Sequence, residues 1–415
     1  MKRIIRKIIP RFLISCYHFS LAFLGAVLYR FPSRKLKVIG ITGTNGKTTV
    51  ADLATRILEE AGIKVASVSS IRFKIGEEER INKLKMTMPG RLKLQRFLRK
   101  AVKKNCQYAV LEVTSEGILQ HRHRFIYFDV AVFTNLTPEH IENHGSFDNY
   151  KKAKGELFRA LNGKGLSIIN LDDKNADYFL GFPAGKKIGY GIDFKERENI
   201  ETIRASETDA NSKKISFSVN NFNFNLQLPG RFNIYNALAS IVSSKGISFE
   251  TCQKAFDKIN NVPGRMEEVI SEPFRVFVDY AHTTDALLNV YSSLPKKTRK
   301  ICVLGSCGGT RDKWKRPEIG KIAARFCDEI ILTNEDPYDE DPNQIISQIE
   351  SGIGNKKSIR VLDRREAIKK ALTLARPGDI VIITGKGSEP WMCVARGKKI
   401  AWDDRKIAKE EFSKK

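Results

Sequence analysis

The sequence has few cysteines, and no two of them have the close spacing of a metal-binding or redox pair. Seven are scattered through 415 residues, at positions 16, 106, 252, 302, 307, 327 and 393, and no two form a CxxC pair. Disulfide frameworks and zinc sites depend on an even or closely paired set. We therefore expect reduced thiols, a reducing compartment and no zinc site.

Proline is also scarce, at 14 residues beside 29 glycines, and the sequence contains no repeat or low-complexity tract. Apolar residues make up 41% of the chain and charged residues 29%, a composition that can bury a full-sized core. At roughly 100–200 residues per domain, the length predicts two or three domains. A disordered chain and a single small module are excluded.

Acidic residues are strongly outnumbered. Lys and Arg total 72 and Asp and Glu total 47, which gives a net charge of +25. This excess favours anionic partners such as nucleotides, phosphorylated substrates, acidic lipids or nucleic acid. Because the sequence has no recognisable nucleic-acid-binding module, we expect no nucleic-acid partner.

The first 37 residues contain no acidic residue and nine basic ones, which flank an uncharged, mostly apolar stretch over residues 12–29. The stretch is just long enough to span a bilayer, but polar side chains dilute it and no small-residue cleavage site follows, so we expect no signal peptide. Two interpretations of a leader helix in residues 1–35 remain open. It associates with a membrane surface through residues 1–31, or it packs on the protein body.

After residue 32 the sequence alternates between strand-like and helix-like segments. A strand over 36–41, a helix over 47–61 and a strand over 65–69 form a βαβ unit, which implies a parallel sheet. Further strands are predicted at 108–113, 130–133, 167–169, 275–278, 300–304, 329–332 and 379–384. Residues 185–229 interrupt this rhythm with short alternating segments and predict an antiparallel insertion.

The most specific motif lies between the first predicted strand and the first predicted helix, where residues 40–49 read GITGTNGKTT. Backbone amides of such a loop bind phosphate oxygens, Lys47 reaches the terminal phosphates, and the Thr48 hydroxyl can hold magnesium. Ile41 replaces the first glycine of the usual P-loop, but the GTxGKT core is intact. The predicted nucleotide-binding residues are Gly43, Thr44, Asn45, Gly46, Lys47, Thr48 and Thr49.

Two other polar side chains follow predicted strands. Glu112 ends one strand and His140 lies shortly after the next, at the end of an open parallel sheet where ligands bind. Beside a triphosphate, these side chains predict a magnesium site, although each could equally be a structural polar group.

An ordered series of motifs from residue 38 to about 390 resembles the Mur ligases, which are ATP-dependent peptidoglycan amide ligases, and most closely their MurE type. The series includes EVTSEG at 112–117, VFTNLTPEHIENHGS at 132–146, YKKAKGELF at 150–158, LPGRFNIYNALA at 228–239, VDYAHTTDAL at 278–287, GSCGGTRDKWKRP at 305–317 and GKGSE at 385–389. The expected fold is α/β: a P-loop parallel-sheet ATPase domain over 36–262 with a small antiparallel insertion, then a smaller Rossmann-like α/β domain over 263–415.

The resemblance implies roles for the motif residues. Lys47 and Thr48 would bind the ATP phosphates and a first magnesium, while Glu112 and His140 would ligate magnesium. Lys154 matches the lysine that this family carbamylates, although it could also be an ordinary surface lysine. Addition of CO2 would turn that cation into an anion, which can support a second magnesium.

The resemblance also implies nucleotide contacts from later motifs. Asn233 and Asn236 match a segment near the adenine, with helix capping as the alternative. Arg265 and Asp279 match residues that approach the phosphate and ribose, with interdomain packing as the alternative. In the family, the C-terminal domain closes on ATP and thereby assembles the site.

Thr87 lies in a Thr-Met-Pro segment that retains part of the family's acceptor-binding sequence. Members that add diaminopimelate carry Asp-Asn-Pro-Arg, whereas this chain has Glu335, Asp336, proline and Tyr338 in the matching stretch. Tyr338 cannot make the bidentate contact of an arginine with a carboxylate. Glu335, Asp336, Asp339 and Glu389 could hold a cationic side chain, so lysine or another diamino acid is the predicted addition; a solvated acidic loop is the alternative.

The implied reaction is ATP-dependent. An acceptor carboxylate attacks the γ-phosphorus, and the amine of an amino acid then displaces phosphate from the acyl phosphate. The expected acceptor is a UDP-N-acetylmuramoyl-dipeptide-like muropeptide in the cytoplasm, with the inner face of the membrane as a more specific location. Family members usually carry a UDP-gripping domain before the P-loop, whereas here the P-loop begins at residue 40. The alternatives are a folylpolyglutamate or poly-amino-acid synthase and a non-enzymatic membrane-associated nucleotide-binding scaffold.

Overall fold

The structure, a computed structural model, describes residues 10–84 and 86–414. The basic residues expected at the start of the leader, Lys2, Arg3, Arg6 and Lys7, lie outside the described residues.

The helices and strands alternate along most of the chain. The helices are α1 (Arg11–Leu28), α2 (Lys47–Glu60), α3 (Arg91–Lys103), α4 (Ser115–Leu119), α5 (Ile141–His144), α6 (Phe147–Arg159), α7 (Ala176–Leu180), α8 (Phe232–Ser243), α9 (Phe249–Asp257), α10 (Thr284–Ser293), α11 (Lys315–Phe326), α12 (Pro342–Glu350), α13 (Arg364–Leu374) and α14 (Asp404–Phe412). The strands are β1 (Lys37–Thr42), β2 (Val65–Val68), β3 (Arg72–Ile75), β4 (Glu78–Ile81), β5 (Tyr108–Glu112), β6 (Val130–Phe133), β7 (Leu166–Asn170), β8 (Lys186–Gly191), β9 (Glu201–Arg204), β10 (Ser206–Ala210), β11 (Ile215–Val219), β12 (Phe222–Leu226), β13 (Glu267–Ile270), β14 (Arg275–Asp279), β15 (Lys300–Leu304), β16 (Glu329–Leu332), β17 (Ile359–Arg360), β18 (Ile380–Thr384), β19 (Trp391–Cys393) and β20 (Lys399–Ala401).

A nine-stranded sheet forms the first half of the molecule, in the order β4-β3-β2-β5-β1-β6-β7-β8-β9. Strands β2 and β5 to β9 are parallel to β1, and the β3–β4 hairpin extends one edge in antiparallel pairing. Helices α2 and α8 cover one face and α3 and α6 the other, so the central strands are apolar on both faces. The carboxyl ends of β1, β5 and β6 therefore meet at one edge.

The segment 185–229 differs in part from the predicted antiparallel insertion. Strands β8 and β9 join the main sheet in parallel pairing, and only β10, β11 and β12 form a separate antiparallel sheet. The last four residues of β8 form one continuous buried run. Such a short run gives no periodic signal that distinguishes a parallel strand from an antiparallel one.

A second, six-stranded sheet follows, in the order β13-β14-β18-β15-β16-β17. All of its pairings are parallel except that of β13 with β14. Helices α10 to α12 pack on one face and α13 and α14 on the other. The α/β fold class predicted from the sequence is confirmed; the domain boundary at 262–263 remains a prediction.

Two cysteines depart from the expectation of reduced thiols. Cys302 in β15 and Cys327 at the end of α11 form a disulfide, with their Cα atoms 5.9 Å apart. The expectation is wrong for this pair, because α11 returns the chain to the side of β15 and brings together two residues with no paired spacing in the sequence. The other five cysteines, all within the described residues, are not part of a disulfide.

Helix α1 lies on the body of the protein, alongside α3. Ala22 and Ala26 are buried in this contact, and Gly25 faces Leu92. Among the helices in the described part of the chain, none is sufficiently long and apolar for a membrane crossing. The leader therefore packs on the body through one side.

Candidate functional site

The P-loop connects β1 to α2 and depends on two glycines. Gly43 and Gly46 have φ angles of +150° and +85°, which residues other than glycine rarely adopt. A β-carbon on Gly43 would overlap the hydroxyl of Thr134, and one on Gly46 would overlap the side-chain oxygen of Asn236. The loop is thus packed tightly at the amino end of α2, where backbone amides bind anions.

Lys47 begins α2 and folds back over the P-loop. Its Nζ donates to the carbonyl oxygens of Gly43 at 2.9 Å and Thr44 at 2.7 Å. Burial lowers the pKa of Lys47, and the Glu112 carboxylate opposes that shift. The lysine is therefore held at the loop that would receive phosphate.

Glu112 and Thr48 are brought together at the ends of β5 and the P-loop. The Thr48 hydroxyl donates to both carboxylate oxygens of Glu112, at 3.0 and 3.1 Å. The amide of Ser70 donates to the same carboxylate at 2.8 Å, and the Ser70 hydroxyl lies 2.8 Å from that of Thr87. Thr87 is thus one side chain away from Glu112, and Ser70, which sequence reasoning missed, links them.

Lys154 projects from α6 to the same loop. Its Nζ donates to the Gly43 carbonyl at 2.6 Å and lies 4.4 Å from the ring centre of Tyr150. Burial, reinforced by the charge of Lys47, lowers the pKa of Lys154 well below its ordinary value. Two lysines therefore converge on one carbonyl, and the surface-lysine alternative does not describe Lys154, which is 2% exposed.

His140 immediately precedes α5 and has a φ of +60°. Its ring nitrogens face the guanidinium of Arg311, with the nearer one 3.3 Å from Nη1. Burial, reinforced by Arg311, lowers the pKa of His140 well below its ordinary value. Arg311 belongs to the GSCGGTRDKWKRP motif. The sequence identified this motif but did not indicate a role for Arg311.

The segment that follows the main sheet contributes Arg265 to the cleft. Arg265 Nη2 donates to the Thr48 hydroxyl at 3.2 Å, and its guanidinium stacks on the Tyr280 ring at 4.4 Å. Asp279 also lines the cleft, but its carboxylate accepts backbone hydrogen bonds from Met266 and Ala281, both at 2.6 Å. Burial raises the pKa of Asp279.

The predicted asparagines occupy structural positions around the P-loop. Asn236 donates to Asn233 Oδ1 at 2.9 Å, and Asn233 donates to the Pro229 carbonyl at 2.7 Å. Asn236 lines the cleft, whereas Asn233 does not line it and instead holds the Asn236 side chain through this hydrogen bond. Asn45 of the P-loop donates to Asp285 in α10 at 2.9 Å, a contact across the two sheets that the sequence did not indicate.

Four of the residues predicted to bind the amino acid form two pairs, of which only one lines the cleft. Tyr338 and Glu389 line the cleft, and Glu389 accepts a hydrogen bond from the Tyr280 hydroxyl at 3.2 Å. Glu335 and Asp336 do not line it. Asp336 forms an ion pair with Lys386 at 2.9 Å, and Glu335 is buried beneath Gly385. Their role in substrate binding remains a prediction.

Contacts between the two sheet regions close one side of the site. Lys315 and Glu139 form a salt bridge of 2.8 Å in which both side chains are almost fully buried. The Asp312 carboxylate accepts hydrogen bonds from the amides of Ile141 and Glu142, at 3.0 and 2.9 Å. Asp312 and Lys315 therefore attach their own loop to the segment around His140, and this attachment brings Arg311 next to the His140 ring.

The resulting cleft has a volume of about 600 Å³ and lies between the two sheets. Its lining includes the P-loop together with Thr87, Glu112, Arg122, His140, Lys154, Arg265, Tyr338 and Glu389. No group of three or more His, Cys, Asp or Glu side chains suited to a metal occurs within residues 10–84 and 86–414. The Thr48 hydroxyl and the Glu112 carboxylate nevertheless place side-chain oxygens next to each other in the cleft.

Comparison with known families assigns most of the chain. Residues 41–244 match the Mur ligase middle domain, and residues 264–387 match the Mur ligase glutamate ligase domain. The chain is 39% identical over 402 residues to the UDP-N-acetylmuramoyl-L-alanyl-D-glutamate–2,6-diaminopimelate ligase of Syntrophomonas wolfei, covering 94% of this chain and 81% of the relative.

Solved structures agree with this relationship. A structure of a UDP-N-acetylmuramoyl-L-alanyl-D-glutamate–2,6-diaminopimelate ligase superposes with a TM-score of 0.60 at 28% identity, covering 91% of this chain and 78% of the other. The Mycobacterium tuberculosis folylpolyglutamate synthase has a TM-score of 0.71 at 16% identity, covering 88% and 92% of the two chains, and shows a shared fold alone. The chain belongs to the Mur ligase family.

Proposed function

We propose that the protein is an ATP-dependent ligase that joins an amino acid to the carboxylate of a UDP-N-acetylmuramoyl-dipeptide-type acceptor through an acyl phosphate. The observation that carries the proposal is the convergence of Lys47, Glu112 and Lys154 with Arg265 on one cleft. A family relative that is 39% identical is named as a ligase for this acceptor. The cytoplasm supplies ATP and UDP-linked precursors, so we assign the reaction to that compartment.

The Thr48 hydroxyl and the Glu112 carboxylate fit a magnesium ion. Mg²⁺ is commonly held by one or two protein oxygens, with water and substrate phosphates completing its ligands. Thr48 and Glu112 supply such oxygens beside the P-loop. When bound, the ion would offset the charge that gathers on the phosphates. His140 lines the same cleft, and its part in metal binding stays a prediction.

The chain's own residues supply the remaining steps. The P-loop amides bind phosphate oxygens, and Lys47 and Arg265, which both line the cleft, bring positive charge to them. Arg122 lines the cleft and is 7% exposed, so it offers a desolvated cation to an acceptor carboxylate. Its Nη1 donates to the Met88 carbonyl, beside Thr87, which fixes the guanidinium in place.

Lys154 is suited to carbamylation because burial favours its neutral amine. A neutral amine attacks the carbon of CO2, forms the new C–N bond and releases one proton, leaving a carbamate anion. The side chain would then change from a neutral amine to a carbamate that carries a negative charge like that of a carboxylate. A buried lysine of lowered pKa favours this chemistry over a permanent ion pair.

Glu389 is the acidic group best placed to select a cationic amino acid. It lines the cleft beside Tyr338, and 22% of its side chain is exposed, although Lys386 lies 2.5 Å from one of its oxygens. Asp336 shares Lys386 but its side chain is only 4% exposed, and Glu335 is enclosed. A tyrosine at position 338 offers a hydroxyl and an aromatic face instead of a bidentate cation. Lysine or another diamino acid is therefore the proposed addition.

The test is an ADP-release assay on the purified protein with UDP-muramoyl dipeptide and a panel of amino acids. We expect release that requires both substrates, is abolished in Lys47→Ala and is unchanged in Lys64→Ala, an exposed lysine beyond the other end of α2. Turnover of glutamate-tailed folate without turnover of the dipeptide would instead establish the folylpolyglutamate class. Tight ATP binding with no amide product from any acceptor would favour the scaffold.

A further inference from the structure

Helix α1 exposes a broad apolar face. Eight of the large apolar side chains that are exposed in the described residues lie on it: Phe12, Leu13, Tyr17, Phe19, Phe23, Leu24, Val27 and Leu28. No charged residue occurs between positions 12 and 29. The outer face of a surface helix is normally polar, so a contiguous apolar face of this size indicates a contact with an apolar partner.

The opposite side of α1 is firmly attached. The Ser15 hydroxyl lies 2.7 Å from Nε2 of His121. At the border with the apolar face, the half-exposed rings of Phe19 and Phe23 make edge contacts with Phe125. Ala26 is fully buried against the body. The apolar face is therefore presented on an element held by packing.

The neighbouring surface is positively charged. Helix α3, which packs along α1, contains six basic residues and no acidic one. Its exposed cations are Lys93, Arg96, Lys100 and Lys103, and Arg30, Arg34 and Lys35 follow α1. Residues 1–51 and 80–111 contain no Asp or Glu at all. The two stretches of chain that form α1 and α3 thus carry charge of one sign only.

We propose that the α1 face docks on the surface of an anionic lipid bilayer. The helix would lie in the plane of the interface, with its apolar side chains at the acyl boundary and the flanking cations on headgroup phosphates. Apolar insertion and a basic patch together provide the two signals that stable membrane association requires. An apolar protein partner would leave the surrounding cations without counter-charges.

The proposed docking face is linked to the cleft. His121, which contacts α1, is adjacent to Arg122, which lines the cleft. Two neighbouring residues therefore connect α1 to the acceptor side of the site. The inference is independent of which amino acid is added.

The test is co-sedimentation of the full chain with vesicles of phosphatidylcholine, with or without phosphatidylglycerol. We expect binding to the anionic vesicles to be at least ~10-fold tighter than to neutral ones and to weaken with salt. The triple variant Leu13→Glu, Leu24→Glu, Leu28→Glu should lose this binding. A matched variant, Ile81→Glu, Leu362→Glu, Ile400→Glu, changes exposed apolar residues elsewhere and should retain it.

Lipid-free ADP release should be equal in both triple variants, which separates this inference from the proposed function. Equal sedimentation with neutral and anionic vesicles, or none with either, would overturn the proposal. So would a lipid-free dimer of the unaltered chain that the α1 variant converts to a monomer, because a second copy would then cover the face.

Discussion

Lys154 is the residue whose environment differs most from that of an ordinary lysine. It is buried beside Lys47, and its amine is held by the Gly43 carbonyl. Lys154→Ala should lower kcat by at least ~100-fold, because the P-loop side of the cleft would lose a preorganised group. Lys152→Ala removes an exposed lysine from the same helix and should leave kcat unchanged.

Steady-state kinetics on the two variants checks this prediction. Carbon-13 NMR with labelled bicarbonate adds an independent readout, since a carbamate signal should appear in the unaltered protein and be missing from Lys154→Ala. Equal kcat values for Lys154→Ala and Lys152→Ala would contradict the assigned role.

Glu335 should make stability depend on pH. Burial raises its pKa to about 7, above the value of about 4.3 expected in an unfolded chain. Between these values the folded state retains a proton that the unfolded state has lost, so stability falls as pH rises through this window. The Glu335→Gln variant has no carboxyl group at this position, so it does not lose stability in this pH window. The Tm of the variant minus the Tm of the unaltered protein should therefore be larger at pH 8 than at pH 5.

Thermal unfolding at several pH values measures this difference. Glu366→Gln, at an exposed position in α13, provides the control and should show a constant Tm difference. A Tm difference for Glu335→Gln that stays constant with pH would mean that Glu335 is ionised in the fold.

Local sequence patterns account for part of the site at this scale. The P-loop could be predicted because its glycines and Lys47 are contiguous and their conformational requirements are local. Arg311 and Lys315 could not be placed, because each meets its partner across more than 170 positions of sequence. The burial of Glu335 could not be predicted for the same reason, since it depends on the distant Gly385.

At the scale of elements, α13 and α14 are joined by a fully buried ion pair. Arg364 donates to both carboxylate oxygens of Asp404, at 2.6 and 2.9 Å. Arg364→Ala would leave Asp404 buried without its partner and should cost about 3–5 kcal/mol of unfolding free energy. Arg365→Ala, which removes a half-exposed ion pair on the same helix, should cost far less.

Chemical denaturation of both variants, followed by tryptophan fluorescence, compares the two arginines. Similar midpoints for Arg364→Ala and Arg365→Ala would show that the buried pair adds nothing to the stability of this layer.

The periodic pattern predicted the central strands of both sheets, because buried apolar strands leave a local signal. The β3–β4 hairpin was not predicted, and its residues are exposed or half-buried with little apolar alternation. The pairing direction of β8 and β9 depends on neighbours distant in sequence, so the sequence could not supply it.

At the scale of the whole molecule, the two sheet regions are held together across the cleft. Lys315→Met would leave Glu139 buried without a cation and should loosen this contact. We expect a raised KM for ATP and a larger radius of gyration by small-angle X-ray scattering. Lys313→Met changes an exposed lysine two residues away and should alter neither. An unchanged radius and KM in Lys315→Met would exclude the salt bridge as a closing contact.

In the proposed reaction, ATP phosphorylates the acceptor carboxylate before the amine attacks. The most direct measurement uses UDP-muramoyl dipeptide with oxygen-18 in its carboxylates, followed by phosphorus-31 NMR of the released phosphate. An acyl phosphate transfers one acceptor oxygen to phosphate, so the account predicts singly labelled phosphate in step with amide formation. Unlabelled phosphate accompanying the amide product would contradict it.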